Sequence, residues 1–347
     1  MRSTPTATTS PISDQPYPPP ESTNSQPQVN SNTAYPAPIP STQPTAIPIS
    51  PIPKDRPVGV LSNGQVIDLD RAMSELPNKI VVSSSGNYVP PTIPKSNQSN
   101  GLSPNIVIGP DGRFKVNNTK VFPYSTVVRI TYENSSGSFI CTGWMLGPST
   151  VVTAAHCIYD YGATYEYATN VSISPAYNLD VNPPDPYGSC GVFYGLVLNY
   201  WYDSGMEGYD YGIYYLNCTV GVRTGNFGFK NIDSQGVGRT VEVPGYPGDL
   251  GNGDTMWSGI GHVTDLPAGD VLVFYDVDTN HGQSGAPVMD VSDFSCNYCV
   301  VATHSGPTGD QTKNQGARIN DWTVNFLLSQ QSFIAKQVYL PLIMNNP

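Results

Sequence analysis

The sequence predicts an all-β domain preceded by a long disordered tail. From Ile106 onward, short apolar runs are separated by Gly, Pro, Asn and Asp, the texture of strands joined by turns. No long amphipathic pattern interrupts them before residue 320. Residues 1–57 are dominated by Pro, Ser, Thr, Gln and Asn, with almost no Leu, Val or Phe. Such a segment has too little apolar surface to offset the entropy of ordering, so it is expected to stay disordered.

In chain order, residues 58–105 read as a prosegment. A modest apolar pattern over residues 57–82 (Val58, Val60, Leu61, Val66, Ile67, Leu69, Met73, Leu76) gives way to a polar stretch containing Pro. Residues 106–335 form the main domain, with strands predicted at Thr126–Tyr132, Phe139–Leu146, Val151–Thr153, Gly212–Leu216, Val271–Tyr275, Ala286–Asp290 and Val300–Thr303. Trp322, Val324, Phe326, Leu327 and Leu328 predict a closing helix over Asn320–Ser329. Residues 336–347 are a C-terminal extension whose apolar run, Val338–Met344, is too short to span a bilayer.

The formal net charge is -11 with only 16 Lys and Arg, so no basic stripe is available to neutralise phosphates and nucleic acid is excluded as a partner. No run of about 18 apolar residues predicts a membrane-spanning helix. Six cysteines with low charged content suit a secreted, extracellular protein, expected to be a monomer, whose thiols are paired. Met1 and Arg2 lead into Ser-Thr-Pro text without the apolar core of a secretory signal, so the sequence reads as a trimmed precursor. Chain order proposes Cys141 with Cys157, Cys190 with Cys218, and Cys296 with Cys299, among the many connectivities that six cysteines allow. Zinc at Cys296 and Cys299 is the competing reading, but a second closely spaced cysteine pair is missing.

Three motifs carry chemistry. In Thr153–Cys157, His156 follows a predicted strand, beside a small Ala154-Ala155 pair that lets the ring emerge next to packed backbone. An imidazole titrating near pH ~6.5 suits a general base, although a structural histidine in a tight turn is the plainer alternative. In Gly282–Pro287, glycines on both sides of Ser284 allow a sharp turn that exposes the hydroxyl, with the N–H groups of Gly282 and Ser284 converging on an oxyanion. An ordinary Gly-Ser turn is the alternative here. The same spacing serves hydrolases with a strand-to-helix elbow, but the all-β surroundings and a histidine upstream of the serine argue against that. The third member must be an aspartate able to orient the histidine. Asp210 immediately precedes an apolar strand, whereas Asp180, Asp185 and Asp203 lie in loops and are expected to be solvated.

With Ile106–Gly109, Cys141–Trp144, Asp278-Thr279 and Thr303-His304, these motifs resemble the bacterial glutamyl endopeptidases, a branch of the trypsin-like serine proteases. The resemblance implies a chymotrypsin-like double β-barrel and a secreted serine endopeptidase that cleaves polypeptides after Glu, and after Asp more weakly, with neither metal nor cofactor. It implies that Thr279 and His304 line the S1 pocket, and that Ser305 and Gly306 form the edge strand that pairs with bound peptide. It also implies removal of the prosegment before Ile106, whose freed amine adds positive charge near S1. The aspartate that usually receives this amine, just before the nucleophile, is replaced by Gln283, and His281 stands where the family has glycine. Asp278 occupies the position from which trypsin holds Lys or Arg, so cleavage after basic residues is one alternative. A non-catalytic pseudoprotease that keeps the fold for binding is another.

Overall fold

Consecutive apolar residues in a strand point to opposite faces, and here each face has its own core to enter. Trp144, Val152, Leu196 and Ile213 join one buried cluster, while their neighbours Met145, Val151, Val197 and Tyr214 join another. The structure is a computed structural model describing residues 57–69 and 106–331, apart from 233, 270, 294, 295 and 297. Nearly all of the expected tail, most of the expected prosegment and the C-terminal extension lie outside the described residues.

The first sheet contains β1 (Val58–Leu61), β2 (Val66–Asp68), β4 (Val127–Asn134), β5 (Gly137–Gly147), β6 (Thr150–Thr153), β7 (Thr169–Pro175), β8 (Val192–Leu198) and β9 (Gly212–Leu216). Its order is β2-β1-β8-β9-β6-β5-β4-β7. A bridge between Ile173 and Cys190 brings the β7 end back toward β8. The second sheet contains β3 (Phe114–Lys115), β10 (Thr240–Gly245), β11 (Trp257–Asp265), β12 (Leu272–Tyr275), β13 (Pro287–Asp290), β14 (Val300–Pro307) and β15 (Asn314–Arg318). It runs β10-β13-β14-β15-β12-β11-β3, and pairing of β10 with β11 closes it into a barrel. All pairings between these strands are antiparallel. The expected double barrel therefore takes the form of one closed barrel, the second, and one partly open barrel, the first, in which β7 meets the stretch just before β8 through a single bridge.

Val241, Val243, Val273, Val288 and Val301 fill the second barrel. The cluster containing Trp144 and Leu196 also takes in Phe227, Tyr246, Met289 and Phe326, so it is the core shared by both sheets. Among the residues described in the second half of the chain, α-helices are few: α1 (Asn199–Ser204), α2 (Gly221–Thr224) and α3 over residues 321–331. Asn320 caps α3, its Oδ1 accepting the Thr323 N–H at 2.9 Å, so the expected helix starts one residue later and runs slightly further. All three cysteine pairs expected from chain order are disulfide-bonded, 141 to 157, 190 to 218 and 296 to 299.

Asp290 at the end of β13 is fully buried, and its carboxylate meets Lys230 at 2.9 Å, Arg239 at 2.8 Å and the Ser292 hydroxyl at 2.6 Å. Burial alone would raise its pKa, but the bonds to Ser292, Lys230 and Arg239 hold it below the ordinary 3.8. Its contribution to stability is therefore complete above pH 3.8 and lost as pH falls through the lower folded value. Asp290→Asn is expected to destabilise by about 3 kcal/mol at neutral pH, the low end for breaking a buried pair because both cations keep access to water. Thermal melts of both proteins across pH should show the difference shrinking in acid. A constant difference would mean that the carboxylate charge is not the source.

Candidate active site

His156 leaves β6 in a single 3-10 turn, Ala155–Cys157, which the Cys141–Cys157 disulfide ties back to β5. Asp210 lies just before β9, enclosed at 4% exposure. Its carboxylate grips His156 at two points: Oδ2 meets ring Nδ1 at 2.8 Å, and Oδ1 accepts the backbone N–H at 2.9 Å. A carboxylate there fixes the tautomer with the proton on Nδ1, leaving Nε2 with its lone pair. Burial works against a charge on His156, but the field and hydrogen bond of Asp210, with a smaller push from Asp160, raise its pKa above the ordinary 6.5. The Trp201 ring, carried on α1, lies 6.3 Å from the imidazole.

Ser284 comes from the other barrel, on the turn entering β13. Gly285 has φ 86°, and a Cβ there would fall 2.1 Å from Thr153 Oγ1 and 2.2 Å from the Thr142 carbonyl oxygen. Only glycine fits, because the serine turn lies against the strands that lead to His156. Gly282 has φ 92°, and its Cβ would fall 2.3 Å from the Tyr246 carbonyl oxygen. Thr142 then bridges the barrels. Its N–H donates to the Ser284 carbonyl at 2.8 Å, its hydroxyl donates to the Gly282 carbonyl at 2.7 Å, and the same hydroxyl accepts the Tyr246 N–H at 3.0 Å.

Within the turn, the N–H groups of Gln283, Gly285 and Ala286 donate to the carbonyls of Asn280, His304 and Gln283. Those of Gly282 and Ser284 have no acceptor among the described residues. The Gln283 side chain is buried, its Oε1 accepting the Asn280 N–H at 3.0 Å and its amide donating to the Val243 carbonyl at 3.3 Å. It stabilises the turn where an aspartate would await an amine.

Beside the turn, His304 on β14 donates its backbone N–H to the Ala286 carbonyl at 2.9 Å. Its ring is fully buried, with Nδ1 2.5 Å from the Tyr275 hydroxyl, which is itself 2.9 Å from the Gln315 carbonyl oxygen. Burial, and secondarily the nearby His156 charge, push its pKa down to about 3, so the free ring is neutral. His304 Nε2, Thr279 Oγ1 and Ser305 Oγ are buried with no hydrogen-bond partner among the described residues. β13 accompanies β14 only as far as Thr303, and the β14–β15 register slips between His304 and Gly306.

Ile106 reaches the same region. Its carbonyl accepts the Thr279 N–H at 3.1 Å and the Asn314 amide at 2.8 Å, and its nitrogen lies 3.4 Å from Asn314 Oδ1. Asp278 turns toward this segment: Oδ1 accepts the Ile108 N–H at 2.6 Å and Oδ2 the Gly112 N–H at 2.7 Å. Thr142, Trp201, Tyr275 and Asn314 were not singled out from sequence. Thr142 lies inside the quoted Cys141–Trp144 motif and was within reach, whereas the other three sit in unremarkable text and join the site only through the fold.

The trypsin family model matches residues 115–322, more than half of the sequence, and the chain belongs to that family with its chymotrypsin-like fold. It is 39% identical over 217 residues to a glutamyl endopeptidase of Bacillus licheniformis, covering 61% of this chain and 65% of that protein. The match therefore spans slightly less than two thirds of that relative's length. An extracellular metalloprotease of Bacillus subtilis is 33% identical over 230 residues, covering 65% of this chain and 69% of that protein. A solved structure of a Glu endopeptidase in complex with MPD aligns with a TM-score of 0.58 at 28% identity, covering 65% of this chain and 100% of that one.

The second of these names raises the question of a metal. Among the described residues, the grouping whose ligand atoms lie within 4.8 Å of one another is Cys141, His156 and Cys157. Its two sulfurs are bonded to each other, and His156 Nδ1 is engaged by Asp210, so the donor set has no thiolate to offer and does not fit a metal.

Thr142→Val keeps the shape of the side chain while removing the hydroxyl that serves Gly282 and Tyr246. The expected loss is about 2 kcal/mol in urea unfolding, from two buried partners left unsatisfied. Unchanged stability would show that this hydroxyl does not hold the two barrels in register.

Proposed function

We propose that this chain is a secreted serine endopeptidase that cleaves after Glu, and after Asp more weakly. The reading is carried by the two-point grip of Asp210 on His156, set against the turn that presents Ser284. His156 Nε2 takes the Ser284 proton as the hydroxyl attacks the scissile carbonyl. The N–H groups of Gly282 and Ser284 receive the oxyanion, and the imidazolium returns the proton to the leaving amine. Water then repeats the sequence on the acyl ester. Secretion is supported by the three disulfides, which persist in oxidising compartments.

Specificity for a carboxylate follows from the unsatisfied polar atoms. Three buried groups without partners are costly in the free protein and find partners when a glutamate side chain enters. Thr279 and Ser305 donate hydroxyl protons. The Tyr275 hydroxyl has a single proton to share between the Gln315 carbonyl and His304 Nδ1. Directed to Nδ1, it places the imidazole proton on Nε2, where a carboxylate can accept it. Tyr275 thus positions His304, while Ser305 and Gly306 offer backbone to the substrate strand. After cleavage before Ile106, the freed amine adds positive charge near Thr279. The alternative specificity for Lys or Arg is disfavoured because both oxygens of Asp278 already accept backbone N–H groups.

Peptides that differ only at P1 test this. Glu is expected to be preferred over Gln by about 100-fold or more in kcat/KM, and Tyr275→Phe to lower that ratio by about tenfold. Faster cleavage of the Arg peptide would reject the pocket assignment. Because His156 must be neutral to act, kcat/KM should rise with pH along a limb centred above 6.5. Asp210→Asn should move that limb to lower pH and reduce kcat by about 10^4-fold. An identical limb in both proteins would remove Asp210 from its role.

A further inference from the structure

We propose that residues 57–69 are a lasting structural part of the enzyme, held as a separate, non-covalently bound hairpin once the chain is cut before Ile106. This rests on the reading above that processing occurs before Ile106, and it concerns what the removed segment does afterwards.

β1 and β2 form a hairpin with Val58 opposite Asp68 and Val60 opposite Val66. β1 lies antiparallel along β8, with Gly59 opposite Leu198, Val60 opposite Val197 and Leu61 opposite Leu196. Further bonds extend this ladder. Ser62 N–H donates to the Gly195 carbonyl at 2.8 Å, Gly195 N–H donates to the Ser62 hydroxyl at 3.1 Å, and the Tyr167 hydroxyl donates to the Val60 carbonyl at 3.2 Å. All four residues of β1 are buried.

The side chains follow the same alternation as the other strands of the sheet. Val60 joins the cluster of Val197 and Tyr214, while Leu61 and Leu69 join the core shared by both barrels. A removable cover that closes an active-site cleft would meet polar surface, whereas this hairpin supplies core. Its release would expose Leu196 and Leu198, both fully buried here, and leave a ladder edge of β8 unpaired.

The hairpin also supports the wall of the site. The Val58 N–H donates to Asn199 Oδ1 at 3.2 Å, at the first residue of α1. That helix carries Trp201 beside His156, and its Tyr200 packs on Tyr209, one residue before Asp210, with ring centroids 4.6 Å apart. The occupant of the β8 edge is therefore the chain's own segment, retained as a second polypeptide.

The test uses the full chain carrying Ser284→Ala and a recognition site for an unrelated protease placed just before Ile106. The fragment on the N-terminal side contains no cysteine, so any retention is non-covalent. After cutting, native mass spectrometry is expected to give the mass of the whole chain plus one water, and denaturant to separate the two pieces. Adding Val60→Asp and Leu61→Asp, with folding of the uncut variant checked first by its melt, is expected to release the fragment upon cutting. The remaining chain should then melt roughly 5 °C or more lower. Separation of the pieces from the parent under native conditions, with the melt unchanged, would overturn the proposal. Retention in the double variant would overturn β1 as the anchor. Because no turnover is read, failure here is distinct from failure of the protease reading.

Discussion

At Gly285 the backbone of the second barrel comes so close to the first that a methyl group would fall 2.1 Å from Thr153 Oγ1. Thr153 ends β6, and His156 follows in the next turn. The proposed nucleophile and the proposed base are therefore brought together where the Gly285 backbone lies against the Thr153 hydroxyl, the Thr142 carbonyl and the Ala154 nitrogen. Thr142 completes the joint by holding both ends of the serine turn, and Cys157 clamps the histidine turn to the same strand that carries Thr142. The orientation set by Asp210 is useful only because this joint delivers Ser284 to the correct neighbourhood.

The proposed pocket obeys a different rule. Most buried polar atoms in a folded protein find partners, and groups that do not are costly unless a ligand completes them. Thr279, His304 and Ser305 carry such groups near the serine turn, while Asp278, the one carboxylate beside them in sequence, is fully engaged by the segment that starts at Ile106. A neutral imidazole, whose tautomer depends on one tyrosine proton, can turn a donor toward a carboxylate without a buried cation. The acidic net charge of the chain gives no long-range attraction to acidic substrates, so the proposed selectivity rests on local contacts.

Strands that bury residues in two cores stand out in the sequence as short, largely apolar runs bounded by turn residues. Phe139–Leu146 and Gly212–Leu216 were found for that reason, and they correspond to β5 and β9. β15 was not found. Asn314–Arg318 is wholly buried yet contains Asn, Gln, Gly and Arg, whose side chains bond to Ile106, Val277, Glu207 and Ile232. Nothing local in such a strand distinguishes it from a loop. The motifs around His156 and Ser284 were legible because sharp turns need small residues, whereas Tyr275 and Asn314 act through partners far away in the chain. The apolar pattern that begins at Val58 and runs on to Leu76 is visible in the sequence, but such a pattern names no partner, so the place of β1 along β8 emerges only from the fold.

The proposed activity requires Ser284 to be a nucleophile activated by His156 across the joint between the barrels. Reaction of the processed protein with a fluorophosphonate, followed by peptide mass mapping, tests this most directly. Stoichiometric modification at Ser284 alone is expected, slowed by orders of magnitude in His156→Ala. Absence of labelling at Ser284 in folded, processed protein, or labelling that proceeds equally fast without His156, would contradict it.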